Sequence, residues 1–275
     1  MRARGLRAAA FSAAAGLALV ARVAHAQDFA TGLPAGPDVS PSVTLEHGLP
    51  YGNGLALETS YTSWLGVPGL ATRAVSGAFG LGAARVALGA SRTGLDPLGW
   101  DAAGMALGAA GSGGGAAVRA VARREDDGAS HPRGITGVEA GAGAWVRAGA
   151  IARVWAVAPQ LWTRGSPPPL PRALTIGVAM ESDGVSAWLE RTGPARSFET
   201  TGSHDGGVAV DLELARVWLE ARERPLRAAL GVSAHARRFD VRVRVEAHPV
   251  LGETVTLAVA TLARGAPANP PRVHP

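Results

Sequence analysis

The feature that most constrains this chain is a two-residue period recurring from about residue 43 to residue 263, broken every 8 to 12 residues by Gly, Pro or Asp. In Phe239–His248 the residues Phe239, Val241, Val243, Val245 and Ala247 alternate with Asp240, Arg242, Arg244, Glu246 and His248. Successive side chains of a strand point to opposite faces, so such a segment is a ribbon with one apolar and one polar face. Leu174, Ile176, Val178 and Met180 repeat the pattern, and Val208, Val210, Leu212 and Leu214 oppose Asp211 and Glu213. Val255, Leu257 and Val259 alternate with Thr254, Thr256 and Ala258. The first half uses smaller residues: Val86 and Leu88 stand against Arg85, Ala87 and Gly89, and Val138 and Val146 against Glu139, Gly141, Gly143, Trp145 and Arg147. Ribbons separated by turn residues read as serial β-hairpins.

Two all-β architectures suit them. A transmembrane barrel turns the apolar faces to lipid and the polar or small faces to a lumen. A soluble β-sandwich buries the apolar faces against each other. The ribbons are long for a sandwich, their apolar faces run to both ends, and Ala and Gly are as common as charge on the other face. The expected fold is therefore an antiparallel transmembrane β-barrel of about 12 strands, within roughly 10 to 14, with the soluble sandwich as alternative. The expected organisation is a signal peptide over 1–26, an irregular segment over 27–41, the barrel over 42–264 and a Pro-rich tail over 265–275, with no helix of length after the signal.

The leader reading rests on Arg2, Arg4 and Arg7, an apolar run from Ala8 to Ala21, and Ala24-His25-Ala26 as a cleavage pattern. It implies export to the cell outer membrane, or to the periplasm for the sandwich. The chain has no Cys and no Lys, so all 27 cations are Arg. That excludes disulfide frameworks, thiolate metal sites and lysine Schiff-base chemistry. Four Arg lie in the first 26 residues, which leaves 23 against 22 carboxylates. A broad basic face for nucleic acid is not expected.

The densest polar cluster is Asp211, Glu213, Glu220, Arg222, Arg227, His235, Arg237, Asp240, Arg242, Arg244, Glu246 and His248. Sharing a lumen, these residues would form Arg–carboxylate pairs that brace it, because a buried unpaired charge is costly; a selective constriction is the functional alternative. Trp64, Trp100, Trp145, Trp155, Trp162, Trp188 and Trp218 fall mostly near expected strand ends and are read as an interfacial girdle, with ordinary core or turn packing as the alternative. His204-Asp205 is read as an exposed turn and Arg123–Asp127 as a solvated loop. The spacing of His235 and His248 matches no metal motif. Gly231-Val232-Ser233-Ala234-His235 lacks the second Gly of a nucleophile elbow, and no helix follows Gly111–Gly115 to cradle a phosphate. No catalytic residue, cofactor or metal is expected; a barrel-embedded hydrolase is the least favoured reading.

Several stretches resemble the PorV/PorQ-type outer-membrane barrels of the FadL fatty-acid-transporter superfamily. They are Tyr61-Thr62-Ser63-Trp64, Arg85 to Ser91 followed by Gly99-Trp100, Pro169 to Leu174, and His248 to Thr254. The early Asn-Pro-Ala-Gly segment of that family, associated with its N-terminal hatch, is missing. The resemblance implies a non-enzymatic barrel, structural or secretion-associated, or passing small or apolar molecules, with outer-membrane lipid and a secretion or envelope protein as partners.

Overall fold

The computed structural model describes residues 40–50, 54–95, 98–127, 137–165, 173–194, 202–223, 226–236, 238–250 and 252–261. The leader, the segment to residue 39, the tail from 265 and Arg237 lie outside them.

The ribbons become fourteen strands: β1 (Gly54–Ser63), β2 (Ala71–Leu81), β3 (Ala84–Leu95), β4 (Leu98–Ala110), β5 (Gly114–Asp127), β6 (Gly137–Ala148), β7 (Ala152–Gly165), β8 (Ala173–Ser182), β9 (Val185–Pro194), β10 (Ser203–Asp211), β11 (Ala215–Arg222), β12 (Arg227–Ala236), β13 (Phe239–His248) and β14 (Gly252–Thr261). Each pairs antiparallel with its sequence neighbours, and β1 pairs with β14 from Glu58↔Ala260 to Ser63↔Val255, closing the ring. Closure leaves no strand edge open along the sheet.

The ring has fourteen strands where about twelve were expected. Stretches that read as turns by composition are strand: His204-Asp205 belongs to β10, and Arg123 to Asp127 belongs to β5. A charged residue facing a lumen interrupts the sequence pattern as a loop would, while the backbone continues its ladder.

The two faces sort as a barrel's do. Leu57 is 50% exposed, Val75 57% and Leu189 54%, all pointing outward, while Glu58, Ser76 and Glu190 beside them are buried. A sandwich would reverse this. The two ends also differ. One end carries connections of two or three residues (82–83, 111–113, 149–151, 183–184, 212–214, 237–238), and the chain enters and leaves the barrel there. Asp183 and Gly184 turn with φ of 48° and 76°, the left-handed conformation a two-residue hairpin requires. The other end carries 64–70, 96–97, 128–136, 166–172, 195–202, 223–226 and 249–251, up to nine residues long.

Before β1 a short helix, α1 (Pro41–His47), lies inside the ring. Ser40 caps it by accepting from the Val43 N–H at 3.3 Å, Pro41 occupies its first turn, and Gly48 ends it at φ 65° with its N–H on the Thr44 carbonyl. Such caps satisfy helix ends that water would otherwise reach. Residues 41–46 are buried, although a surface helix this short has little stability of its own. The barrel walls supply the packing.

Candidate functional site

The lumen is the site, and α1 is its most distinctive occupant. The helix packs against β1 to β7, where the inward positions are small. Leu45 lies over Gly89, whose missing side chain would stand 2.5 Å from the Leu45 Cδ1 atom. The carbonyls of His47 and Gly48 lie against Gly143, where an added Cβ would collide with both. Ala87, Ala102, Ala106 and Val121 complete the pocket around Leu45. The small residues of the first half are the space into which the helix fits.

One charged centre ties helix to wall. Arg119 donates to the Leu45 carbonyl at 3.1 Å, to the Pro159 carbonyl at 2.8 Å and to Glu139. Arg123 bonds the other Glu139 oxygen at 2.8 Å, joined by Gln160 at 3.3 Å. Arg119 and Glu139 have side chains only 3% exposed, so each charge depends on its partners. Pro159 and Gln160 sit where β7 bulges against β6, between Ala140↔Trp162 and Ala142↔Ala158. His47 is half-buried, and its Nε2 is shut off from solvent with no hydrogen-bond partner among the described residues. Desolvation, and then the nearby Arg119, lower its pKa from 6.5 to about 4, so at neutral pH it is uncharged.

The opposite wall carries most of the cluster expected from sequence. Arg244 bonds Glu220 at 2.7 Å and Glu246 at 2.8 Å, and Arg227 bonds Glu246 at 2.8 Å. Arg242 joins Asp240 at 2.5 Å to Glu58 at 3.4 Å, and His235 meets Asp240 at 3.1 Å. Arg222 pairs with Asp205 at 2.5 Å, and Asp211 with Arg216 at 3.4 Å. His248 accepts from the Val250 N–H at 3.1 Å near the strand end. Glu213 is not in the lumen: β10 ends at Asp211, and Glu213 lies exposed in the following turn. Glu58, Asp205, Arg119, Arg123 and Glu139 belong to the networks but not to the expected cluster. Strand parity was the signal for Glu139, between Val138 and Ala140, and for Glu58, between the outward Leu57 and Thr59.

The tryptophan girdle is a correction. Trp64, Trp100, Trp145, Trp155, Trp188 and Trp218 are all buried, and only Trp162 points outward, 49% exposed. The reason lies in cross-strand pairing: Trp155 is opposite Gly177, Trp188 opposite Gly207 and Trp218 opposite Gly231, and each ring covers that glycine inside the barrel. Trp145 covers Gly115 similarly and donates to the Pro50 carbonyl at 3.0 Å. Trp155 donates to the buried Glu190 at 3.0 Å. Trp145, Trp155, Trp188 and Trp218 form one apolar cluster with Val43 and Leu49, which carries contact from the helix segment to the far wall.

Chemically this interior is paired and packed. Ser233 and His235 share a face of β12, but His235 pairs with Asp240. No group of three or more His, Asp or Glu suited to a metal stands together among the described residues.

No family model matches the chain, and no curated protein matches it. Among solved structures, a triple mutant of Rhodopseudomonas blastica porin aligns at 10% identity and TM-score 0.42, covering 76% of this chain and 98% of that one. Another mutant of the same porin gives 10% identity and TM-score 0.43 at the same coverage.

Proposed function

We propose that this chain is an outer-membrane β-barrel that is closed as it stands, a non-enzymatic envelope component and not an open diffusion pore. The membrane reading rests on the outer face, where Leu, Val, Ile and Met stand exposed on strand after strand around the ring. An exposed apolar band of that extent needs lipid. Short turns with both termini at one end and longer loops at the other give it the polarity of an outer-membrane barrel, with the loops outside. The leader pattern supports export by the same route.

The observation that carries the closed reading is α1 joined to the far wall through the Trp145–Trp155–Trp188–Trp218 cluster. The charged half adds to it. Arg222, Arg227, Arg242 and Arg244 each hold a carboxylate, so the lumen presents braced pairs where a selective pore would present one sign of charge. A structural or docking role follows, and passage of a solute requires α1 to leave its place against Gly89 and Gly143. The PorV/FadL resemblance of the sequence fits this class of barrel, and a secretion or envelope protein is the partner it suggests.

Planar-bilayer recording tests the reading. The full-length mature chain is expected to give only rare, small openings, and a chain lacking residues 40–50 to conduct steadily. Steady porin-sized current from the full-length chain would refute closure.

A further inference from the structure

We infer that Arg73, Arg92 and Arg124, with Tyr61, form a binding site on the outside of the barrel for the phosphate-bearing headgroup of a membrane lipid. The inference rests on the membrane reading above.

Register places these residues side by side. Tyr61 is opposite Arg73, Arg73 opposite Arg92, Arg92 opposite Asp101, and Asp101 opposite Arg124, one row across β1 to β5. The row faces out, because the adjacent residues Thr62, Thr72, Ser91, Ala102 and Arg123 are buried on the lumen side. Tyr61 is 44% exposed, and the side chains of Arg92 and Arg124 are each 47% exposed.

Among the described residues its charge is unbalanced. Asp101 holds Arg92 at 3.2 Å and Arg124 at 2.5 Å, so one carboxylate serves two guanidinium groups. Arg73 has no carboxylate partner among the described residues, yet it faces Arg92 directly across the β2–β3 ladder. Like charges in directly opposed positions are destabilising unless an anion lies between them. A cavity of about 550 Å³ opens beside the row, lined by Arg73, Arg92, Asp101 and Arg124 with Ala90 and Ala103. Asp101 stands on the far side of Arg92 from Arg73, where it pins the Arg92 fork and leaves the Arg73–Arg92 gap for the anion.

The level of the row selects a lipid over a free anion. Toward the short-turn end the outward residues are Val75, Phe79, Leu88, Met105, Leu107 and Val118, all apolar or exposed to the same band. From Arg73 to Leu81 this is eight residues of tilted strand, about 20 Å of wall against an apolar band of about 25 Å. The three Arg and the Tyr hydroxyl thus lie at the membrane boundary on the loop side. A phosphate there, bound by forked guanidinium groups, leaves its acyl chains along the wall below.

Native mass spectrometry of the full-length barrel in neutral detergent tests this, with phosphatidic acid, diacylglycerol of the same chains, and inorganic phosphate as probes. Wild type should retain phosphatidic acid and not diacylglycerol, and millimolar phosphate should not displace it. Arg73→Gln, at an exposed position with no ion pair to lose, and the Arg73→Gln/Arg92→Gln pair should retain about tenfold less, the loss of one or more charge-assisted hydrogen bonds. Heat-modifiable migration reports that each variant is still a barrel. Equal retention by a folded variant overturns the site, and displacement by inorganic phosphate overturns the lipid as its ligand. A wild-type chain that stays soluble without detergent overturns the membrane reading and the site together.

Discussion

Inward positions on β2 to β6 include Ser76, Ala87, Gly89, Ala102, Ala106, Ala117 and Gly143, whereas those on β9 to β13 include Trp188, Glu190, Trp218, Glu220, Arg222, Arg242 and Arg244. The two half-walls enclose one lumen and fill it differently. The first is cut back to admit a helix, and a charged centre on it, Arg119–Glu139–Arg123, reaches that helix through the Leu45 carbonyl. The second grows its own filling, with tryptophans laid over glycines and Arg–carboxylate pairs strung from strand to strand. Residue volume is therefore divided by function: where the wall is small, something else must sit against it. The difference predicts that damage to the first half opens the barrel, while damage to the second half softens it.

The largest effect belongs to Gly143→Val. Its side chain would occupy the place of the His47 and Gly48 carbonyls, so α1 should be expelled and steady conductance appear, while heat-modifiable migration survives. Gly231→Ala is the matching change across the lumen. It meets the Trp218 ring, which moves as a side chain can, and should cost about 1–3 kcal/mol of stability without opening a channel. Conductance and denaturant titration on the two variants separate the half-walls.

Next is Glu139→Gln. It leaves Arg119 buried without the Glu139 charge and takes the same carboxylate from Arg123, an effect of about 3–5 kcal/mol, read by urea titration in detergent or vesicles. Glu220→Gln should cost less, about 1–2 kcal/mol, because Arg244 keeps Glu246. Equal losses would dissolve the distinction between a single centre and a ladder.

Acid gives a smaller effect, confined to the first half. His47 titrates at about 4 when docked and near 6.5 when free, so the undocked state binds the extra proton. Docking of α1 is fully favoured above pH 6.5 and weakens as pH falls toward 4, up to about tenfold for each unit in that window. Open probability in bilayers should rise over that range and the rise should vanish in His47→Gln. A pH response unchanged by that substitution would assign it elsewhere. The smallest effect is optical: brominated lipid should quench Trp162 and leave the other six tryptophans largely untouched. Loss of most of the emission would restore the outer girdle.

Much of this architecture was legible in the chain. A period of two over ten-residue segments leaves only a face to be assigned, and the outward Val and Leu positions of β13 and β14 are the ones the alternation singles out. The tryptophans were legible too, but by parity and not by position along the strand. Trp145 shares its face with Glu139 and Gly143, Trp188 with Glu190, and Trp218 with Glu220, so each belongs inside with its neighbours. Register was not legible, because it is fixed by pairing and by connections of different length. Arg242 meets Glu58 across a separation of 184 residues, on strands joined only by closure of the ring. The helix α1 is the deepest omission. Pro-Ser-Val-Thr-Leu-Glu-His has no apolar period of its own, and only Ser40-Pro41 before it and Gly48 after it mark its ends. Its helicity and burial come from the cavity that fourteen strands build around it.

The absence of Cys makes the central claim, a lumen closed by α1, open to direct measurement. A single Leu45→Cys thiol, placed where the wild-type side chain is fully buried, is exposed to a water-soluble maleimide in the folded full-length barrel. The account predicts negligible labelling over the time in which the boiled protein labels completely. Rapid labelling of the folded barrel would contradict it, showing water at the heart of the lumen and a helix that does not close it.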